Sequence, residues 1–241
     1  MMDDIGDAER ISMVKEIFST IIGRYDFLNH VLSLRRDIAW RRFTAGQMRP
    51  FSTRSFLDVA AGTCDLSIEA AMRHAGLQVV GVDFSQAMLD QGRDKLAERG
   101  LGGRIHLIRG DALCLPFAEA SFDAAGMAFG IRNIPHKVKA LRELRRVVVP
   151  GGQVLILELS FPQTGWFRRF YNLYLNRLLP RVAGAFSPNP PAYRYLAESI
   201  MDFPSVVQFA GIMRQAGWTE IRAYALTLGI CRLFLGRKPE P

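Results

Sequence analysis

Phe56-Leu57-Asp58-Val59-Ala60-Ala61-Gly62-Thr63-Cys64-Asp65 sets the fold class: an apolar run ends at a glycine turn, and helical periodicity follows. Glycine at 62 lets the backbone come close to a ligand. A second apolar run, Val79 to Val82, ends in Asp83, which gives the spacing of a strand-helix-strand unit. An acid at that strand end accepts both hydroxyls of a ribose. Gly110-Asp111-Ala112 closes a third run, and Pro150-Gly151-Gly152 introduces a later one. Ligands of open α/β sheets sit beyond the carboxyl ends of the strands, so one crevice gathers Gly62, Asp83 and Asp111.

Taken singly, Gly62 is a turn glycine and Asp83 before Phe84-Ser85 is a helix N-cap. Their ordered co-occurrence favours a nucleotide-sized ligand. A hydride-transferring dehydrogenase wants Gly-x-Gly-x-x-Gly after the first strand to seat a pyrophosphate. The chain instead offers Ala60-Ala61-Gly62-Thr63-Cys64-Asp65. A donor without phosphates, such as S-adenosylmethionine, needs fewer glycines and uses polar groups for its amino-acid end.

The chain has 241 residues, 49% hydrophobic and 22% charged, enough for one domain with a sizeable core and an appendage. No apolar stretch reaches the roughly 18 to 20 residues that span a bilayer, and the acidic start argues against a signal peptide. A cytoplasmic protein is expected. Cys64, Cys114 and Cys231 form no disulfide framework and no zinc spacing, so no metal is expected. The net charge of +8 is concentrated at Arg35-Arg36, Arg41-Arg42, Lys137 to Arg146 and Arg168-Arg169. Basic groups beside apolar segments suit peripheral contact with a membrane surface.

Helical periodicity runs from Ala8 to about Ile22, then after an irregular stretch to about Gln47. Strands are expected near 55–60, 78–83, 104–108, 121–127, 153–159, 219–227 and 230–236. Helices are expected near 66–75, 86–99, 136–148 and 206–216. The alternation predicts a parallel sheet, and a hairpin at Gly229 makes the last strand antiparallel. Between Gly165 and Val182, Phe167, Phe170, Tyr171, Tyr174 and Leu178 share one helical face, opposite Arg168, Arg169, Asn172 and Asn176. Such a helix packs on the core, or lies at an interface with its arginines toward acidic headgroups.

These residues resemble the ubiquinone/menaquinone biosynthesis C-methyltransferases, within the class I S-adenosylmethionine-dependent enzymes. The likeness covers nearly the whole chain. It includes Tyr25-Asp26, Trp40-Arg41, the strand from Leu57, Asp83-Phe84-Ser85, Gly110-Asp111-Ala112 and Leu157-Glu158-Leu159-Ser160. Phe129-Gly130-Ile131-Arg132-Asn133 and the distal block Tyr193, Tyr195-Leu196, Glu198-Ser199-Ile200 and Phe203-Pro204 are its most discriminating parts.

The resemblance implies an α/β Rossmann-like methyltransferase with a seven-stranded, mostly parallel sheet, helices on both faces and an antiparallel last strand. Residues 1–50 would form an N-terminal helical substrate-capping segment. Residues 51–241 would form the methyltransferase domain, with a helical cap insertion at about 160–204. It implies methyl transfer from S-adenosylmethionine to a ring carbon of a prenylated quinol, demethylmenaquinol or 2-methoxy-6-polyprenyl-1,4-benzoquinol. Donor contacts fall on Thr63, Asp83, Asp111, Ala112 and Ala128, with Asp58, Ala60, Gly62 and Phe84 beside them.

Arg132 and Asn133 follow the fourth strand and are expected to face the reacting centre, Arg132 stabilising a phenolate. Tyr25 is expected to close the pocket against the other ring oxygen. No general base is assigned, and oligomeric state is left open, a homo-oligomer included.

Three positions depart from the family pattern. Cys64 and Arg35 stand where glycine is usual, and Asn189 where aspartate is common. Two rival readings use the same donor half: methylation of another small lipid or phenol, and nucleic-acid methylation. Asn189-Pro190-Pro191 resembles an adenine-N6 motif, yet Ala192 replaces its aromatic residue and the segment follows the fifth strand rather than the fourth. A nucleic-acid partner is therefore not expected. A donor-binding scaffold without catalysis is the third alternative.

Overall fold

The computed structural model describes residues 30, 33–163, 165–178 and 190–240. The expected helix from Ala8 to Ile22, together with Tyr25 and Asn189, lies outside them. Helix α1 (Arg36–Gln47) leads into β1 (Ser55–Val59), α2 (Asp65–Arg73), β2 (Gln78–Asp83), α3 (Gln86–Glu98), β3 (Ile105–Arg109) and β4 (Phe122–Ala128). Then come a short 3-10 turn at Ile131–Asn133, α4 (Lys137–Val147), β5 (Val148–Leu159), α5 (Gly165–Leu173) and a π-helical turn at Tyr174–Leu178. Helices α6 (Pro190–Met201) and α7 (Val206–Gln215) precede β6 (Thr219–Leu226) and β7 (Cys231–Arg237).

The strands form one sheet in the order β3-β2-β1-β4-β5-β7-β6, parallel except for β7, which pairs antiparallel with both of its neighbours. This is the expected α/β sheet. Strands β1 and β4 are buried almost throughout because helices cover both faces. On one face Leu141 and Leu144 of α4 pack with Phe209 and Met213 of α7. On the other, Trp40 of α1 and Leu66 and Ile68 of α2 pack over Phe56 and Leu155.

Pairing Val59 with Val82, Asp83 with Arg109 and Ala128 with Leu157 aligns the carboxyl ends of the strands. The crevice of the sequence argument therefore exists as one edge of the sheet.

Two elements differ from expectation. Strand β5 starts at Val148, before the Pro150-Gly151-Gly152 turn, because Val148 already pairs with Phe122. Residues 149 to 152 then loop out opposite Asp123 before Gln153 pairs with Ala124. Glycine is required at 152, where an added Cβ would lie 2.5 Å from the Asp123 carbonyl oxygen.

The second difference concerns the aromatic helix, whose apolar face is divided. Tyr171 and Leu175 are buried, while Trp166, Phe170 and Leu173 are at least half exposed. Leu175, one helical turn beyond Tyr171, shares its inward face, and both pack against Ala197 and Ile200 of α6.

Asp123 ties the segment entering β1 to β4. Its carboxylate, fully buried, accepts hydrogen bonds from the backbone N–H groups of Phe51, Ser52, Thr53 and Arg54. An Asp123→Asn replacement keeps one acceptor oxygen and sets an amide N–H₂ against backbone donors. It is expected to lower the unfolding free energy by about 2 kcal/mol, read from the urea midpoint at constant slope.

Candidate functional site

The turn between β1 and α2 is wound largely left-handed. Ala60 has φ +54°, Gly62 +55° and Cys64 +71°. Only glycine adopts such angles without cost, so a side chain at Cys64 stores strain of about 1 kcal/mol. The backbone has nonetheless kept the glycine conformation. Arg35 repeats the pattern at φ +60°, ahead of α1. Cys64 fits because Gly92 of α3 leaves room: a Cβ at Gly92 would lie 2.6 Å from the Cys64 Sγ. Burial, then the nearby Asp58, push the Cys64 thiol up, which leaves it protonated and inert.

Beyond the turn lies a cavity of about 540 Å³, within the range of nucleoside-sized sites. Ala60, Gly62, Asp83, Phe84, Asp111, Ala112 and Ala128 line it, as the sequence led us to expect, and Asn133 closes it from the fourth strand's end. Asp83 is fixed there by two backbone donors, Gly62 N–H to Oδ2 at 2.8 Å and Ser85 N–H to Oδ1 at 2.9 Å. Burial raises its pKa, and these bonds oppose that without reversing it. Asp111 is exposed and accepts from Leu113 N–H at 2.8 Å.

Three expected site residues sit elsewhere. Thr63 is buried behind the turn and accepts from Lys95 Nζ at 3.1 Å. Asp58 is buried under the turn: its Oδ2 accepts from Ser67 Oγ at 2.6 Å, while Oδ1 has no partner among the described residues. Arg132 does not face the cavity. Its guanidinium turns inward, donating to Glu158 Oε1 at 2.6 Å and to the Phe129 carbonyl at 2.7 Å. A buried positive charge goes to its counter-charge, and Glu158, wholly buried on the adjoining strand, supplies one.

Two residues were not assigned from sequence. Phe129 lines the cavity at φ +61°. Tyr195, from α6, donates its hydroxyl to Asn133 Oδ1 at 2.9 Å, which leaves the Asn133 amide nitrogen for the cavity. The two lie 62 residues apart, so no local spacing announces the bond. For Phe129, the strained backbone was the missing cue.

Asp58 has a measurable consequence. Burial pushes its carboxyl from 3.8 up to about 7. A carboxyl raised in this way contributes stability that is present in full below its unfolded pKa and is lost as pH rises through its folded one. Asp58→Asn is therefore expected to flatten the stability profile between about pH 4 and about pH 7, and to leave the protein about 1–2 kcal/mol more stable than wild type at the upper end. Denaturant unfolding across that range checks it.

The acids also test what the cavity fits. Carboxylates at Asp83 and Asp111, with the unpartnered Asp58 oxygen beneath them, suit a nucleoside whose far end is cationic. S-adenosylmethionine has ribose hydroxyls, an ammonium and a sulfonium, and no phosphate, so these residues fit it. His30, Asp37 and Asp65 also place a ring nitrogen and two carboxylates within 4.8 Å of one another, but Arg41 and Lys95 already supply their counter-charge.

The chain is similar to known proteins in sequence and in fold. A demethylmenaquinone methyltransferase of Deinococcus radiodurans is 42% identical over 97% of this chain and 96% of its own length. The ubiquinone/menaquinone biosynthesis C-methyltransferase UbiE of Geotalea daltonii is 40% identical over 95% of this chain and 98% of its own. Among solved structures, a SAM-dependent methyltransferase of Thermotoga maritima, a possible histamine N-methyltransferase, superposes with a TM-score of 0.65 over 92% of this chain and 99% of its own. At 16% identity it speaks for the fold alone. With the profile of the ubiE/COQ5 methyltransferase family matching residues 2–238, the chain belongs to that family and is a methyltransferase.

Proposed function

We propose that the protein transfers a methyl group from S-adenosylmethionine to a ring carbon of a prenylated quinol, of the demethylmenaquinol or 2-methoxy-6-polyprenyl-1,4-benzoquinol type. The observation that carries the donor half is the Asp83 carboxylate, held by two backbone N–H groups at the cavity wall. The acceptor half rests on the relatives' names and on Asn133 across that cavity.

Bound there, the donor supplies a methyl on a positively charged sulfur, electrophilic without further activation. The chain's residues have to hold, orient and keep dry. Asp83 takes the ribose hydroxyls, with Gly62 and Ala60 letting the backbone approach and Phe84, Asp111, Ala112 and Ala128 flanking the base. Asp58 and Thr63 act from under the turn, supporting its backbone through Ser67 and Lys95. Asn133, its oxygen engaged by Tyr195, offers N–H to a ring oxygen and so sets which ring carbon lies in line with the methyl. Arg132 works from behind: paired with Glu158 and bonded to the Phe129 carbonyl, it holds the Phe129–Asn133 segment against the cavity. Tyr25 contributes from residues 1–50, which with the insertion at about 160–204 cap the acceptor.

The test is a labelled-donor assay against both demethylated quinols. Turnover of at least one is expected, and no transfer to either by a protein that binds the donor sinks the acceptor assignment.

Peripheral membrane contact belongs to the same reading. No helix among the described residues is long and apolar enough to cross a membrane. Helix α5 exposes Trp166 and Phe170 beside Arg168 and Arg169, the make-up of a helix lying at a lipid surface. Co-sedimentation with anionic vesicles is expected to fall about tenfold in a Trp166→Ser/Phe170→Ser double replacement. Unchanged partitioning removes α5 as the contact.

A further inference from the structure

We propose that Arg41 is a positioning residue for donor binding: from outside the cavity it ties the turn on one wall to the Phe129 ring on the other. Arg41 lies on α1 and is buried. Its Nη1 sits 2.5 Å from Asp37 Oδ2 and 3.5 Å from Asp65 Oδ2, and its guanidinium carbon lies 5.1 Å from the Phe129 ring centroid. Asp65 is the first residue of α2, directly after the left-handed Cys64. Phe129 lines the cavity and is itself left-handed. One side chain therefore braces both strained points of the site.

The surroundings are built for the same purpose. Trp40, the neighbour of Arg41, meets the Phe129 ring edge-on with the centroids 6.2 Å apart and donates Nε1–H to Thr227 Oγ1 at 2.9 Å. That bond anchors α1 to the turn before β7. Lys95 grips Asp65 Oδ1 at 2.8 Å and reaches Thr63 Oγ1. Burial works to raise the Asp65 pKa, but Arg41 and Lys95 together hold it below the ordinary value, so the anchor stays charged. Asp37 is held down similarly against burial, by Ser33, Arg41 and His30.

Strained backbone persists only where its surroundings over-determine it. A guanidinium suits this place because a planar, always charged group pairs at its edge and stacks on its face at once; an ammonium does only the first. An ordinary structural ion pair would lower stability when removed and leave affinity untouched. A brace makes affinity depend on Arg41 and makes that dependence pass through Phe129.

The inference rests on the donor reading above, and the experiment separates the two. S-adenosylhomocysteine is titrated calorimetrically into wild type, Arg41→Lys, Arg41→Gln, Phe129→Leu and the Arg41→Gln/Phe129→Leu double variant. Temperature is kept well below each unfolding midpoint. Kd is expected to rise about tenfold in Arg41→Gln and about fivefold in Arg41→Lys although charge is kept, and the double variant should lose less than the product of its singles. Kd within twofold of wild type in Arg41→Lys or Arg41→Gln overturns the proposal, as do strictly multiplicative losses. Should Arg41→Gln fail to fold, Arg41→Lys, tested with Phe129→Leu, decides alone. Absence of binding by wild type would instead defeat the donor reading, and this inference with it.

Discussion

Donor affinity is expected to fall about a hundredfold when Asp83 is replaced by asparagine, measured as the Kd of S-adenosylmethionine by calorimetry. Gly62 N–H and Ser85 N–H hold one oxygen each, with Phe84 N–H beside them, and the four lone-pair sites of a carboxylate leave acceptor capacity over. The carboxylate lines the cavity, where ribose hydroxyls would donate charge-assisted bonds to it. Each such bond contributes roughly 1.5–3 kcal/mol, and asparagine offers one acceptor oxygen in place of two.

The same carboxylate sets the pH dependence. Burial raises the Asp83 pKa, and the ionised form is the one that accepts both hydroxyls. Affinity should therefore strengthen as pH rises through that pKa and weaken as it falls, with the slope abolished in Asp83→Asn. A variant that binds within threefold of wild type would remove Asp83 from the site.

Loss of about 3–5 kcal/mol in unfolding free energy is expected for Glu158→Ala, among the larger effects of any single replacement in the protein. Glu158 is wholly buried and accepts from the Arg132 guanidinium, from the Arg132 backbone N–H and from Leu159 N–H. Removing it leaves the Arg132 charge buried without its carboxylate, which costs more than the pair itself contributes. An Arg132→Met/Glu158→Leu double replacement should regain most of the stability, because no buried charge is left behind. Its turnover should stay depressed, since the segment from Phe129 to Asn133 is then no longer held. Urea denaturation gives the first quantity and the labelled-donor assay the second. Full turnover in the double variant would show that Arg132 serves stability alone.

The misjudged direction of Arg132 has a clear physical source. Read along the chain, it follows the fourth strand and so belongs to the catalytic edge. Its partner is 26 residues away and is brought near by the pairing of Ala128 with Leu157. The bond between Tyr195 and Asn133, and the contact of Arg41 with Phe129, depend in the same way on distant elements. By contrast Gly62, Asp83 and Asp111 were legible, because each ends or follows an apolar run and needs only the parallel sheet to be brought together. The departures at Cys64 and Arg35 were legible too, and both residues occupy the left-handed conformation that glycine would have taken.

Local patterning was thus enough for the alternation of strands and helices, the parallel sheet with its antiparallel last strand, and the acids at one sheet edge. Those features follow from period, turn chemistry and strand length, all written within a few residues of where they act. Which charged side chains look into the cavity and which look away was left to packing. A buried charge settles beside its counter-charge, and strand register and helix docking, not sequence distance, determine where that counter-charge stands.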